Sequence, residues 1–437
     1  MAPPPSPVTW RTALGTLVPW LGLGVVVGAA CGAASALFLW LLDVATGTRE
    51  GQPWLVWLLP VAGLALGLVY ARLGHSIKAG TSLVIDTIHD DGPEIPLRMM
   101  PMVLGGTVLT HLFGGSAGRE GTAVQMGASL TDFLAHRARL SPALRRQLLA
   151  AGVAGGFGSV FGTPVAGALF GLELVVLGRL EYEALVPALI AALVGDLTTR
   201  GLGIVHTPYP AVPTIELTPL LCIKWIVFAA AVAVVSIAFI ELTHALRRLG
   251  ERRVPHLGLR MAIGGALVVL GWQLLGTTAY LGLGVPSIVG AFSDPELVTW
   301  AFAAKLLFTA VTLGAGFLGG EVTPLFFIGA ALGGVLAPVL GIPQALGAGV
   351  GLAAVFAAAA NTPIALSVMA VELLGAAVLP HVMLVSVVAY VLSGHRSIYP
   401  AQRLRRGKAG GPPGAPVRLR DLRSPPGPPS AGAGPPG

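Results

Sequence analysis

The sequence predicts an all-α integral membrane protein made of two related halves, on three observations. Charge is scarce, long uncharged runs recur, and two motif blocks repeat at a spacing of about two hundred residues. Of the 437 residues, 54% are hydrophobic and only 11% are charged, with a mean hydropathy of +0.80. Soluble proteins carry about 25% charged residues, so the bulk of this chain faces lipid rather than water.

The uncharged runs are 12–42, 54–71, 147–172, 261–293 and 322–393, the last broken only by Glu372 and His381. They match or exceed the roughly 20 residues a helix needs to cross a bilayer, and the longest must hold several helices. Ten or more segments are expected, some too short or too glycine-rich to cross alone. The first run is too long for a removable signal and lacks a small-residue cleavage pattern. Cys31 and Cys222 both lie in apolar surroundings, which excludes a disulfide framework or a zinc cluster.

The net charge of +7 is concentrated. From Gln402 onward, Arg403, Arg405, Arg406, Lys408, Arg418, Arg420 and Arg423 face Asp421 alone. The composition divides the chain into a transmembrane domain, 1–405, with repeats about 15–200 and 215–400, and a basic tail, 406–437. The tail is rich in proline and glycine with no apolar periodicity, so it is expected to be disordered, and no soluble regulatory domain is expected to follow the membrane part. The positive-inside bias places it, together with LRRLGERRVPHLGLR (246–260), on the cytoplasmic side of a multi-pass cell-membrane protein. That bias accounts for the basic residues without nucleic-acid binding.

The repeat is read from two blocks. GSAGREGTAV (115–124) aligns with GFLGGEVTPL (316–325), pairing Gly115 with Gly316, Gly118 with Gly319, Glu120 with Glu321 and Thr122 with Thr323. FGSVFGTPVAGALFGLEL (157–174) aligns with FAAAANTPIALSVMAVEL (356–373), pairing Thr163-Pro164 with Thr362-Pro363 and Glu173-Leu174 with Glu372-Leu373. The order of blocks leaves open whether the halves run parallel or inverted.

In each first block, glycines and a carboxylate stand immediately before an apolar, helix-like run. Non-helical backbone at membrane depth is tolerated only where protein buries it or water reaches it. The helix that follows presents free N–H groups and the positive end of its dipole. Two such starts converging near the midplane make an anion site. A carboxylate beside them, here Glu120, occupies the anion's place when ionised and leaves it when protonated or displaced.

At GSAGREGTAVQMGASL the chain resembles the CLC family of chloride channels and anion/proton exchangers, whose gating-glutamate motif is Gly-Arg-Glu-Gly-Pro. Thr122 stands where that motif has proline, as in the family's fluoride/proton antiporter branch. GAGFLGGEVTPLFFIGAALGG (314–334), GHRSIYPAQR (394–403) and KAGTSLVIDTIHD (78–90) are similar to that branch as well. Thr81-Ser82 stands where the branch has Asn-Asn, and Val84 and Thr87 occupy the places of its paired phenylalanines. The resemblance, over roughly residues 15–406, implies a CLC-type fold of two inverted repeats with broken, tilted and re-entrant helices, assembled as a homodimer. It implies that Glu120 is gate and proton carrier and that Glu321 serves an inner proton pathway. The anion is then bound by Thr323, Tyr399 and Thr81 and by the helix starts at Gly118, Arg119, Gly121 and Val322. The implied activity is export of fluoride in exchange for protons, without cofactor. The alternative within the family is a chloride/proton exchanger or a passive chloride channel.

Plainer readings stand beside these. Glu120 pairs with Arg119 at an interface; Glu321 pairs with Lys305, or Lys305 snorkels to the membrane edge. Thr323 is a helix N-cap, Tyr399 belongs to an aromatic belt, and the glycines serve close packing. Glu173 and Glu372 each close an apolar segment and read best as solvated helix ends. Asp86, His89, Asp90 and Asp91, near His75 and Glu94, offer the metal site of an intramembrane hydrolase. No His-Glu-x-x-His motif supports that reading, and acidic loop residues at a membrane edge explain the cluster better.

Overall fold

The computed structural model describes residues 10–90, 93–294, 296–405, 407–408 and 416–423. The first half runs through α1 (Trp10–Gly51), α2 (Leu59–Leu73), α3 (Thr81–Asp90), α4 (Met99–Leu112), α5 (Glu120–Arg137), α6 (Pro142–Phe161), α7 (Pro164–Glu173) and α8 (Leu185–Gly201). The second follows as α9 (Pro219–Arg253), α10 (Leu257–Leu275), α11 (Val285–Gly290), α12 (Ala301–Ala315), α13 (Val322–Val339), α14 (Gln344–Ala360), α15 (Pro363–Leu374) and α16 (Leu379–Leu392). Six helical stretches among the described residues are long and apolar enough to cross a membrane, and several others are too short to cross alone.

The halves break in the same places for the same reasons. The uncharged run 147–172 divides between α6 and α7, where Gly162 takes a left-handed φ of 74° and Thr163-Pro164 restarts the chain. Its counterpart in the second half is Asn361, with a φ of 60°, followed by Thr362-Pro363. Glycine and asparagine are the residues that accept this conformation most readily at a helix end, and proline is suited to the first helical position.

The direction of the halves, silent in the sequence, follows from two contacts. Glu173 at the end of α7 accepts the N–H groups of Ile364 and Ala365 at the start of α15, at 3.2 and 2.8 Å. Glu372 near the end of α15 accepts those of Val165 and Ala166 at the start of α7, at 3.0 and 2.8 Å. Equivalent helices therefore lie antiparallel. This corrects the reading of both glutamates as solvated helix ends: each caps the free N–H groups of the other repeat's helix.

Helices near the centre are buried on most sides and meet through glycine. Gly329 and Gly333 of α13 lie against Gly351 and Gly347 of α14, and Gly127 of α5 lies against Gly152 of α6, with no room for a Cβ. Close backbone approach of this kind replaces hydrophobic drive inside a bilayer. Large apolar side chains on the outer helices, among them Val25, Leu37, Ile223 and Val234, are exposed, as a lipid-facing surface requires.

The tail departs from the expected disorder where it is described. Val417–Arg418 pairs antiparallel with Arg403–Leu404, which pairs parallel with Val176–Leu177, and Leu419 is buried against the body. Arg406 and the stretches 409–415 and 424–437 lie outside the described residues.

Candidate anion and proton site

Two loops bring the site together. The chain from α4 reaches α5 through Gly114, whose φ is 86°, and the chain from α12 reaches α13 through Gly316, whose φ is 105°. The loops cross as a two-bond antiparallel bridge: the Gly118 N–H donates to the Gly320 carbonyl at 2.6 Å, and the Gly320 N–H to the Gly118 carbonyl at 2.8 Å. A Cβ on Gly320 would sit 2.6 Å from the Gly121 nitrogen, so glycine is required there. The bridge satisfies polar backbone that no water or lipid would satisfy. It also corrects one expectation: the Gly118 N–H is engaged by Gly320 and does not face an anion.

Glu120, the first residue of α5, is completely buried. Its Oε2 accepts the N–H groups of Arg119 and Thr323, each at 3.1 Å, and its Oε1 accepts the Thr323 hydroxyl. Arg119 adds an ion pair, Nε to Oε1 at 3.4 Å. The carboxylate from one repeat is thus seated on the helix start of the other, over the donors of α13. An exposed interfacial pair with Arg119 does not describe this arrangement. Thr323 lies in the first turn of α13 and Val322 begins it, but neither caps by its side chain; the N-cap position belongs to Glu321.

A cavity of about 620 Å³ approaches the same loops, lined among others by Thr81, Thr122, Gln125, Glu321 and Tyr399. Thr81, at the start of α3, accepts a hydrogen bond from Gln125 Nε2 at 3.3 Å, and the Thr122 hydroxyl pairs with that of Thr107 at 2.7 Å. Tyr399 is 3% exposed, too deep for an aromatic belt. Its turn is fixed by the buried Gln402, whose Nε2 donates to the Leu174 and Ala360 carbonyls, both at 2.8 Å, and whose Oε1 accepts the Ser397 hydroxyl at 2.6 Å. Val84 and Thr87, at the places of the paired phenylalanines, are both buried on α3.

Other expectations resolve differently. Lys305 is fully buried and donates to the Tyr280 and Gly282 carbonyls at 3.2 and 2.6 Å, with the Phe327 ring 5.4 Å away. It neither snorkels nor pairs with Glu321, because carbonyls at a tight turn supply its ligands. Asp86 belongs to helix α3 rather than to a loop and bonds Arg418 at 2.8 Å. No cluster of three metal-ligating side chains occurs among the described residues, and Asp91 lies outside them.

Two arginines were not legible as part of the site. Arg49 donates to the His111 carbonyl in the last turn of α4, and Arg260 to the Ala315 carbonyl ending α12, both at 3.1 Å. Each places a cation on the negative end of the helix that feeds a site loop. Their helices are far from the motif blocks in sequence, so neither spacing nor repeat alignment points to them.

Residues 62–394 match the family model for the voltage gated chloride channel. A protein of Pseudomonas syringae pv. tomato named chloride/fluoride channel protein is 47% identical over 415 residues, which cover 92% of this chain and 90% of the relative. A putative chloride channel protein of Ralstonia nicotianae is 28% identical, over 84% of this chain and 91% of its own length. Among solved structures, a CLC-type fluoride/proton antiporter superposes with a TM-score of 0.86 at 36% identity, over 91% of this chain and all of that one. A cyanobacterial chloride/proton antiporter gives a TM-score of 0.77 at 20% identity, over 87% and 96%, which speaks to the fold alone. The buried glutamate between crossed glycine loops, the doubled architecture and these matches lead to one conclusion: the chain is a membrane anion transporter of the CLC family.

Proposed function

We propose that the protein exports fluoride in exchange for protons, with Glu120 as both gate and proton carrier. The observation that carries this reading is the seat of Glu120 on the N–H and hydroxyl of Thr323. An anion at the start of α13 needs the same donors, so carboxylate and anion compete for them. Protonation removes the carboxylate's claim, and each exchange of occupant moves a proton one way against an anion the other. Arg119, Gly121 and Val322 complete the two helix starts around that seat. Thr323, Tyr399 and Thr81 supply hydroxyls, which a small, strongly hydrated ion needs as replacements for water. Glu321, at the N-cap of α13 and open to the cavity, is the proton route on the inner side.

The preference for fluoride draws support from the Pseudomonas relative's name and from the antiporter that shares the fold at 36% identity. The protein works as a homodimer in the cell membrane with the tail in the cytoplasm. Arg247 and Arg248 of one basic stretch and Arg420 of the other line one cavity, which supports a common cytoplasmic side under the positive-inside bias.

Glu120→Gln keeps the size of the side chain and removes its titration. In liposomes it is expected to abolish fluoride-driven proton uptake. Undiminished proton uptake by this variant contradicts the assignment.

A further inference from the structure

The segment 416–423 lies outside the transport fold proper, yet it reaches the cavity that leads to the site. Its strand is the outer member of the three-stranded sheet, and beyond it the Leu419 N–H donates to the Gln402 carbonyl at 3.0 Å and the Arg420 N–H to the Pro400 carbonyl at 3.1 Å. The segment therefore runs alongside the turn that carries Tyr399. Leu419 is 3% exposed and anchors it apolarly. Asp86 of α3 ties it from the other side, bonding Arg418 Nε at 2.8 Å and Arg420 Nη2 at 3.4 Å, with Arg403 at 3.7 Å. Three guanidinium groups gather on Asp86, and Asp421 of the segment itself pairs with Arg420 Nε at 3.8 Å, so three cations against two carboxylates leave one positive charge over at that place.

Arg420 is also part of the cavity wall, together with Lys78, Arg247, Arg248 and Arg260. Glu251 and Glu321 are the carboxylates of the same lining. A cleft lined mostly by one sign of charge and walled by low-dielectric protein concentrates counter-ions and raises their rate of capture. Four of these cations come from the transport fold, and the fifth is delivered by the tail.

We propose that residues 416–423 are a strap that completes the tail-side anion entrance, delivering Arg420 to its wall and fixing α3, which bears Thr81, through Asp86. The strap raises the capture of anions entering from that side. The inference rests on the anion-transport reading above, and its test is separable from it.

The test uses the full-length protein in liposomes, with initial anion flux measured against anion concentration at low and high ionic strength set by a non-transported salt. Arg420→Gln is expected to raise the half-saturating fluoride concentration by roughly threefold at low ionic strength, and Arg420→Glu by more. Both differences should shrink at about 1 M salt, where the Debye length is about 3 Å. Arg418→Gln, which loosens the tether to Asp86, should move in the same direction by less. An unchanged half-saturation for Arg420→Glu at low salt overturns the proposal. So does a loss of maximal rate and thermal stability that is indifferent to salt, since that marks a merely structural segment. If the wild type carries no fluoride, the fluoride reading fails, and the same titration with chloride still tests the strap.

Discussion

A carboxylate that occupies an anion's donors is only useful if it can be moved off them. Glu120 is held by two N–H groups and one hydroxyl, with Arg119 alongside. Hydrogen bonds to charged groups contribute about 1.5–3 kcal/mol each, so the seat is firm for the ionised form and weak for the neutral one. The Thr323 hydroxyl becomes available to an ion when Glu120 leaves. Thr323→Val is nearly isosteric but lacks that donor. It is expected to slow fluoride more than chloride and to lower the fluoride-to-chloride flux ratio by roughly tenfold, measured as paired efflux from liposomes. Equal slowing of both ions would remove Thr323 from selectivity.

Glu321 is expected to act differently from Glu120 because it lines the cavity, whereas Glu120 is completely buried. Glu321→Gln should reduce proton flux per fluoride while the protein still folds and reaches the membrane. Aggregation of that variant would instead mark the residue as structural. These two glutamates were legible in the sequence because each breaks an uncharged run inside a glycine cage. Lys305 breaks a run in the same way, and its partners were not legible. They are backbone carbonyls of Tyr280 and Gly282, which any residue type could have presented.

At the scale of elements, the structure holds together by exchanges between repeats. Glu173 and Glu372 each bond two N–H groups of the opposite half, and the Gly118–Gly320 bridge joins the two site loops. Glu173 is buried, so losing its charge weakens two hydrogen bonds without water to replace them. Glu173→Gln is expected to cost about 1–3 kcal/mol and to lower the thermal midpoint of the purified protein, leaving the ratio of protons to fluoride unchanged. An altered ratio at unchanged stability would place Glu173 on a proton route. The recurrence of these glutamates was visible at a spacing of about two hundred residues, but their function was not. A cap on a helix that begins some 190 residues away leaves no local signature, whereas the Gly162 and Asn361 breaks, set by their own neighbours, do.

For the whole molecule, two polarities matter: the inversion of the halves and the charge on one face. The uncharged runs and the repeat gave membership of the membrane class and the count of halves. The antiparallel arrangement needed contacts between α7 and α15. Composition predicted a disordered tail, and it misled over 416–423 because a strand needs only a few residues and a waiting edge, here Arg403–Leu404. The balance of the tail's arginines against Asp86 was equally hidden, since they are separated by more than 300 residues. Of these features, Arg420 of the tail reaches the cavity that Glu321 and Tyr399 also line.

The most direct test of fluoride/proton exchange is a paired recording from purified wild-type protein in liposomes, with anion efflux and proton uptake followed together under equal outward gradients of fluoride or chloride. Fluoride efflux should outpace chloride efflux and should drive protons inward against no imposed pH gradient. Chloride leaving as fast as fluoride, or fluoride leaving without proton uptake, would contradict the account.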